Sequence, residues 1–326
     1  MGSYRLLLAI LVALSHMGIT FFGRNPGAIA VISFFLLSGY VMTGLIRRYY
    51  LQPRLVPLFY VDRLARLYPQ FFFYVSLGLL LAFLYPPDIY YLSDITVSKI
   101  TLNYLLLPLG FYMLGLEHCQ VIPPAWTLGL EVCFYLVIPF ILIYDWRKPL
   151  FYFSALVYVL AFAKILPTDP FTYRLLPGTL FIFLCGSLMF DRRQESKPPL
   201  LVRQTLWAAL VFLILAIAVP MVRIAENREV PIGLLLGIPM VWFLRLAVSG
   251  PWDELAGNLS YGLFLNHFIL IRAAKTIFGI KTFHLTEILI VLAAALAFAA
   301  LTFYGVERPF LIWRHQLRKK TLSAKA

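Results

Sequence analysis

Charge is what this chain has least of. Only 13% of its 326 residues are charged, and 15 of those are acidic. At 61% apolar residues and a mean hydropathy of +0.84, a water-soluble domain of this size is excluded. There is no internal repeat, no low-complexity linker and no hydrophilic stretch long enough for a second soluble domain, so residues 1–326 are expected to form a single membrane domain. The three cysteines, Cys119, Cys133 and Cys185, form no disulfide framework. His118 beside Cys119 lacks a second ligand pair at zinc spacing, which argues against a metal site. No aromatic-interleaved basic platform is present, so the net charge of +13 does not point to nucleic acid.

What the chain does have is long apolar runs. Stretches close to the roughly 20 residues that cross a bilayer begin near residues 4, 27, 70, 127, 149, 174, 203, 231, 259 and 285. The expected fold is therefore all-α and polytopic, with about ten transmembrane helices in one bundle. The segment 100–116, interrupted by Pro108 and Gly110, reads as re-entrant or interfacial. Basic residues alternate with the spans: Arg47, Arg48, Arg54, Arg63 and Arg66, then Arg147 and Lys148, then Arg192, Arg193, Lys197 and Arg203, then Arg314, Arg318, Lys319 and Lys320. The positive-inside rule puts these segments and both termini in the cytoplasm. The basic loop 47–69 and the tail 309–326 are then cytoplasmic, and the loop 86–125 is external. The first apolar segment has no small-residue cleavage site and is expected to be retained.

Several ionisable groups fall inside these apolar runs. His16 lies in the run Leu6 to Phe22, expected as the first span, eleven positions after Arg5. At about 100° and 1.5 Å per residue the two share one helix face and stand about 16 Å apart. An ionisable group within a span is costly, roughly 3 kcal/mol on insertion scales, and marks a candidate functional site. The alternative is a polar residue that ties two helices together.

Arg63 and Arg66, three apart, project from one face of a short helix and suit phosphate oxygens or anionic lipid head groups. Glu131, one turn into an apolar run that opens at Trp126, needs a partner, which an arginine or His16 could supply. Ser38 and Gly39 in the second span suit close helix packing. His267 is a second histidine within an apolar run, and Glu307-Arg308-Pro309 at the end of the last run reads as a structural ion-pair clamp.

Taken in order, these segments resemble acyltransferase family 3, polytopic membrane proteins that O-acylate polysaccharides, lipid-linked sugars and some antibiotics. Arg5 and His16 resemble the family's Arg, ten residues, His signature. Phe34-Phe35 through Ser38-Gly39-Tyr40 is similar to its second-helix motif, and Arg63 and Arg66 fall on its Arg-x-x-Arg pair before Tyr-Pro. Trp126 to Tyr135, Ser260 to His267 and Glu307-Arg308-Pro309 are similar to its later motifs. The chain departs from the pattern at Ile32, Thr127, Val132 and Phe264, and the proline often found soon after the ninth-helix histidine is missing.

The resemblance implies an O-acyltransferase, most often an O-acetyltransferase, of a bacterial inner membrane. It implies acyl-coenzyme A, most often acetyl-CoA, as a donor substrate and no permanently bound cofactor. Its phosphates would sit on Arg63 and Arg66 with Arg47, while His16 acts as general base or transient acyl carrier with Arg5 and Glu131 beside it. His267, Tyr261 and Trp126 would face the acceptor, a hydroxyl of a polysaccharide or lipid-linked sugar. The family's frequent esterase-like fusion is not expected here, so delivery to a distant acceptor would call on a separate extracytoplasmic partner or a membrane-bound acceptor. The competing class is a transporter or flippase of an anionic lipid or sugar, which interior charges also suit, although no paired inverted halves are visible.

Overall fold

A computed structural model describes residues 1–85, 91–218 and 228–323, which are mostly helical, without a strand among them. Parts of the loop 86–125 and of the tail 309–326 lie outside the described residues. Twelve α-helices follow in order: α1 Gly2–His16, α2 Pro26–Leu45, α3 Val56–Leu84, α4 Val97–Leu105, α5 Trp126–Ile143, α6 Arg147–Phe162, α7 Leu176–Asp191, α8 Leu200–Ala218, α9 Glu229–Leu244, α10 Pro251–Ile277, α11 Leu285–Thr302 and α12 Arg308–Ser323. Each of the ten apolar runs lies on one of these helices. Among the described residues six helical stretches are long and apolar enough on their own to cross a membrane, and α1 and α9 are shorter apolar helices.

Three local expectations are corrected. The first helix stops at His16 and does not run on to Phe22. Gly18 adopts a left-handed φ of +89°, a conformation that interrupts a helix, and the chain turns toward Asn25. Asn25 then caps α2, its Oδ1 accepting from the amides of Gly27 (2.9 Å) and Ala28 (3.1 Å), with Pro26 at the first helical position. His16 is therefore a helix-terminal residue beside an opening.

The second correction concerns residues 47–69, which are not a loop through to the apolar run. After a short π-helical turn at Ile46–Tyr50, Val56–Leu84 is one continuous helix that carries Arg63, Arg66 and Pro69 within it. Asp62 and the two arginines occupy a buried, ion-paired side of α3, which keeps this charged stretch helical and inside the protein.

The third is the Glu307-Arg308 clamp. Glu307, only 1% exposed, pairs with Arg66 on α3, not with its chain neighbour.

Neighbouring helices approach closely where glycine permits it. A Cβ added at Gly39 of α2 would stand 1.8 Å from the Phe183 carbonyl oxygen, and one at Gly186 of α7 2.0 Å from that of Leu36. This reciprocal contact lets the two backbones meet without intervening side chains. Beside it, Thr43 donates to the Gly39 carbonyl at 2.8 Å and shares a 2.8 Å bond with Ser187. α1 runs parallel to α10, with Met1 and the Gly2 and Ser3 amides gathered on Asp253 and His16 beside His267. On the other side of α10, Asn266 donates to the Ala295 carbonyl of α11 at 2.9 Å and to the Tyr74 hydroxyl of α3 at 3.3 Å.

Candidate active site

Two cavities enter the bundle from opposite ends and share three wall residues, Val31, Thr127 and Phe264. The one at the Arg5 end is narrow, about 160 Å³. Arg5, Arg63 and Arg66 stand in its wall with Glu131, Ser38, Tyr135 and Tyr261. The one at the His16 end is wider, about 850 Å³, and is bordered by His16, Trp126, Gln120, Arg174 and Glu229 among others.

Arg63, Arg66 and Glu131 of the narrow cavity are each held by partners around them. Asp62, fully buried, pairs with Arg63 and also binds Arg318 of α12 at 2.9 Å and Arg314 at 3.4 Å. Glu307 holds Arg66, whose guanidinium also lies 5.1 Å from the ring centroid of Tyr261. The Tyr261 hydroxyl donates to the Leu67 carbonyl at 2.8 Å, so this ring serves as a fixed backing for Arg66. Glu131 accepts from the Ser38 hydroxyl at 2.5 Å and the Tyr135 hydroxyl at 2.6 Å. A buried charge needs such partners, because an isolated one costs several kcal/mol. Three guanidiniums against a single carboxylate in the wall leave the cavity net positive, a setting for an anion.

The histidine pair sets the other end. His16 Nδ1 lies 2.9 Å from His267 Nε2, and His267 Nδ1 lies 3.0 Å from the Leu263 carbonyl oxygen. A carbonyl only accepts, so His267 Nδ1 carries a proton. In a neutral His267 the Nε2 must then accept, which makes His16 Nδ1 the donor. His16 Nε2 is left with its lone pair and borders the wide cavity through the ring that carries it. His267 is fully buried and is not part of that cavity wall; it stands behind His16.

Of the residues singled out from the sequence, Arg5, Arg63, Arg66, Glu131 and Tyr261 meet at one cavity, and His16 and Trp126 at the other. Arg47 stands apart, paired with Asp191 at 2.6 Å, where Arg147 also binds. Asp62, Tyr135 and Gln120 were not singled out. Asp62 could have been found from its place directly before Arg63, whereas Tyr135 and Gln120 carry no local signal. No group of three or more metal-ligating side chains occurs among the described residues.

Residues 4–304 match the acyltransferase domain of acyltransferase family 3. An uncharacterised protein of Aquifex aeolicus (strain VF5) is 36% identical over 170 residues, which make up 47% of this chain and 77% of that protein. No solved structure matches the chain. With nearly its whole length inside the family match and its interior charges gathered on two meeting cavities, the chain belongs to acyltransferase family 3 and is a membrane acyltransferase.

Proposed function

We propose that the protein is an O-acyltransferase, most simply an O-acetyltransferase, that moves an acyl group from acyl-CoA at the Arg5 end to a sugar hydroxyl at the His16 end. The single observation that carries this reading is the meeting of a net positive cavity and a histidine-bordered cavity at Val31, Thr127 and Phe264. With the Arg5 end in the cytoplasm, the positive-inside arrangement of the remaining basic residues is satisfied. The family's other members imply a bacterial inner membrane as the setting and a polysaccharide or lipid-linked sugar as the acceptor.

In this reading the donor phosphates bind Arg63 and Arg66, with Arg5 deeper along the path, and the thioester is drawn to the shared constriction. His16 Nε2 takes the proton of the acceptor hydroxyl as its oxygen attacks the thioester carbonyl. The C–O ester bond forms and the C–S bond breaks. The proton passes from His16 to the departing thiolate, which leaves the imidazole neutral for the next cycle. Glu131 offsets the arginines so that the site holds an anion without excess positive charge once it is empty. Arg47, engaged with Asp191, is assigned to anchoring the cytoplasmic helix ends.

The test is incubation of envelope membranes with radiolabelled acetyl-CoA. Base-labile label in a glycan or glycolipid is expected. Arg63→Ala and Arg66→Ala should each weaken acetyl-CoA binding about tenfold or more, in line with the loss of a charge-assisted contact of 1.5–3 kcal/mol. Unchanged donor affinity in both variants would remove the arginines from the donor site.

A further inference from the structure

The wide cavity contains a polar group with nothing to bind. Gln120 is 3% exposed and borders this cavity, yet its Nε2 has no hydrogen-bond partner among the described residues. The backbone that carries it is held on both sides. Its own amide donates to the Tyr91 carbonyl at 2.8 Å, and on either side Asn103 accepts from the Val121 amide at 2.9 Å and donates to the Cys119 carbonyl at 2.6 Å. A buried N–H left without a partner costs more than its bond contributes when formed, so an orphan donor on a held backbone fits a position kept for an incoming oxygen.

The charges around it narrow what that oxygen belongs to. Among the described residues Arg174 is the one arginine bordering the cavity, and Asp169 already pairs with it. Its guanidinium lies 5.0 Å from the ring centroid of Trp126 and 5.2 Å from that of Tyr112, covered by aromatic rings. Glu117 and Glu229 border the same cavity, and no ion pair offsets either carboxylate among the described residues. The lining thus offers carboxylates that accept from hydroxyls, the Gln120 amide that donates, and a net negative field that repels phosphate and carboxylate.

Resting on the acyltransferase reading above, we infer that Gln120 is a specificity-determining residue of the acceptor subsite. Its Nε2 donates to an oxygen of an uncharged glycosyl unit whose hydroxyls bind Glu117 and Glu229. The unit that receives the acyl group is then a neutral sugar, even where the polymer or carrier lipid as a whole is anionic. Gln120 touches the acceptor only; the donor site lies across the constriction.

The experiment uses the full-length protein in envelope membranes of source cells that lack their own copy of the gene, with radiolabelled acetyl-CoA as probe. Gln120→Met, close in shape and unable to donate, is compared with wild type, and Gln120→His, which restores an N–H, serves as the second variant. Gln120→Met should lower labelling of the glycan at least tenfold, by raising half-saturation for acceptor while leaving that for acetyl-CoA unchanged. Gln120→His should recover part of the loss. Mass spectrometry of the labelled product should place the ester on an uncharged sugar. Wild-type labelling in Gln120→Met, equal loss of acetyl-CoA affinity, or an ester on a uronic acid, a sugar with a free amine or a phosphorylated unit would overturn the assignment. Absence of label from wild-type membranes would instead overturn the acyltransferase reading on which it rests.

Discussion

His16 is distinguished from other buried histidines by what stands behind it. The Leu263 carbonyl fixes the proton on His267, and His267 in turn fixes the proton on His16 Nδ1, so a chain of two hydrogen bonds selects the tautomer that a base acting through Nε2 requires. His267→Ala should lower acyl transfer about 10- to 100-fold, the range seen when a residue that orients another's imidazole is lost, with donor affinity intact. His267→Gln, whose amide oxygen can accept from His16 Nδ1, should recover part of that activity. Steady-state rates at saturating acetyl-CoA measure both, and equal loss in the two variants would reduce His267 to a packing residue. Protonating His16 removes the lone pair, so the rate falls on acidification in wild type. His16 was legible in the sequence because an ionisable residue in an apolar run stands out. Its pairing with a residue 251 positions away was not, since only the parallel packing of α1 against α10 brings the two together.

At the scale of elements, charged side chains are what fasten α3 to its neighbours. Glu307, in the turn between α11 and α12, holds Arg66, and Asp62 gathers Arg63 with two arginines of α12. Replacing one partner of a buried pair strands the other charge, at a cost of about 3–5 kcal/mol, whereas replacing both by apolar residues is often neutral. Glu307→Gln is therefore expected to lower the Tm of the detergent-solubilised protein markedly, and Arg66→Met with Glu307→Leu to restore most of it while losing donor binding. A Glu307→Gln protein with wild-type Tm would mean that the ion pair does not hold α3 in place. Arginine-rich segments such as 47–69 look like exposed loops in sequence because hydropathy counts each charge as a cost and cannot see its partner. Here Arg66 and Asp62 find partners more than 200 positions away, and the helix extends some fourteen residues earlier than the apolar run alone indicates. The early stop of α1 had a local cause, Gly18 and the Asn25-Pro26 cap, and was open to a reader of turn chemistry.

For the molecule as a whole, the bundle divides a single site between its two ends. Arginines on α1 and α3 surround one cavity, and the histidine that ends α1 borders the other. The three residues Val31, Thr127 and Phe264 are where a thioester and a hydroxyl would meet. The helical class and the family were legible from apolar runs and ordered motifs. The division into two cavities was not, because it depends on helix crossings that no motif encodes. The most direct test is a sided one. Purified protein is reconstituted in vesicles with its Arg5 end inward, acetyl-CoA carrying a labelled acetyl group is sealed inside, and source-cell glycolipid is supplied in the membrane. Wild type should build up ester-linked label on sugars exposed outside, and His16→Ala, inserted and folded to the same extent, should lose about 10²-fold or more of that rate. Transfer at the wild-type rate by His16→Ala, or label confined to the inside face, would contradict acyl passage to a hydroxyl activated by His16.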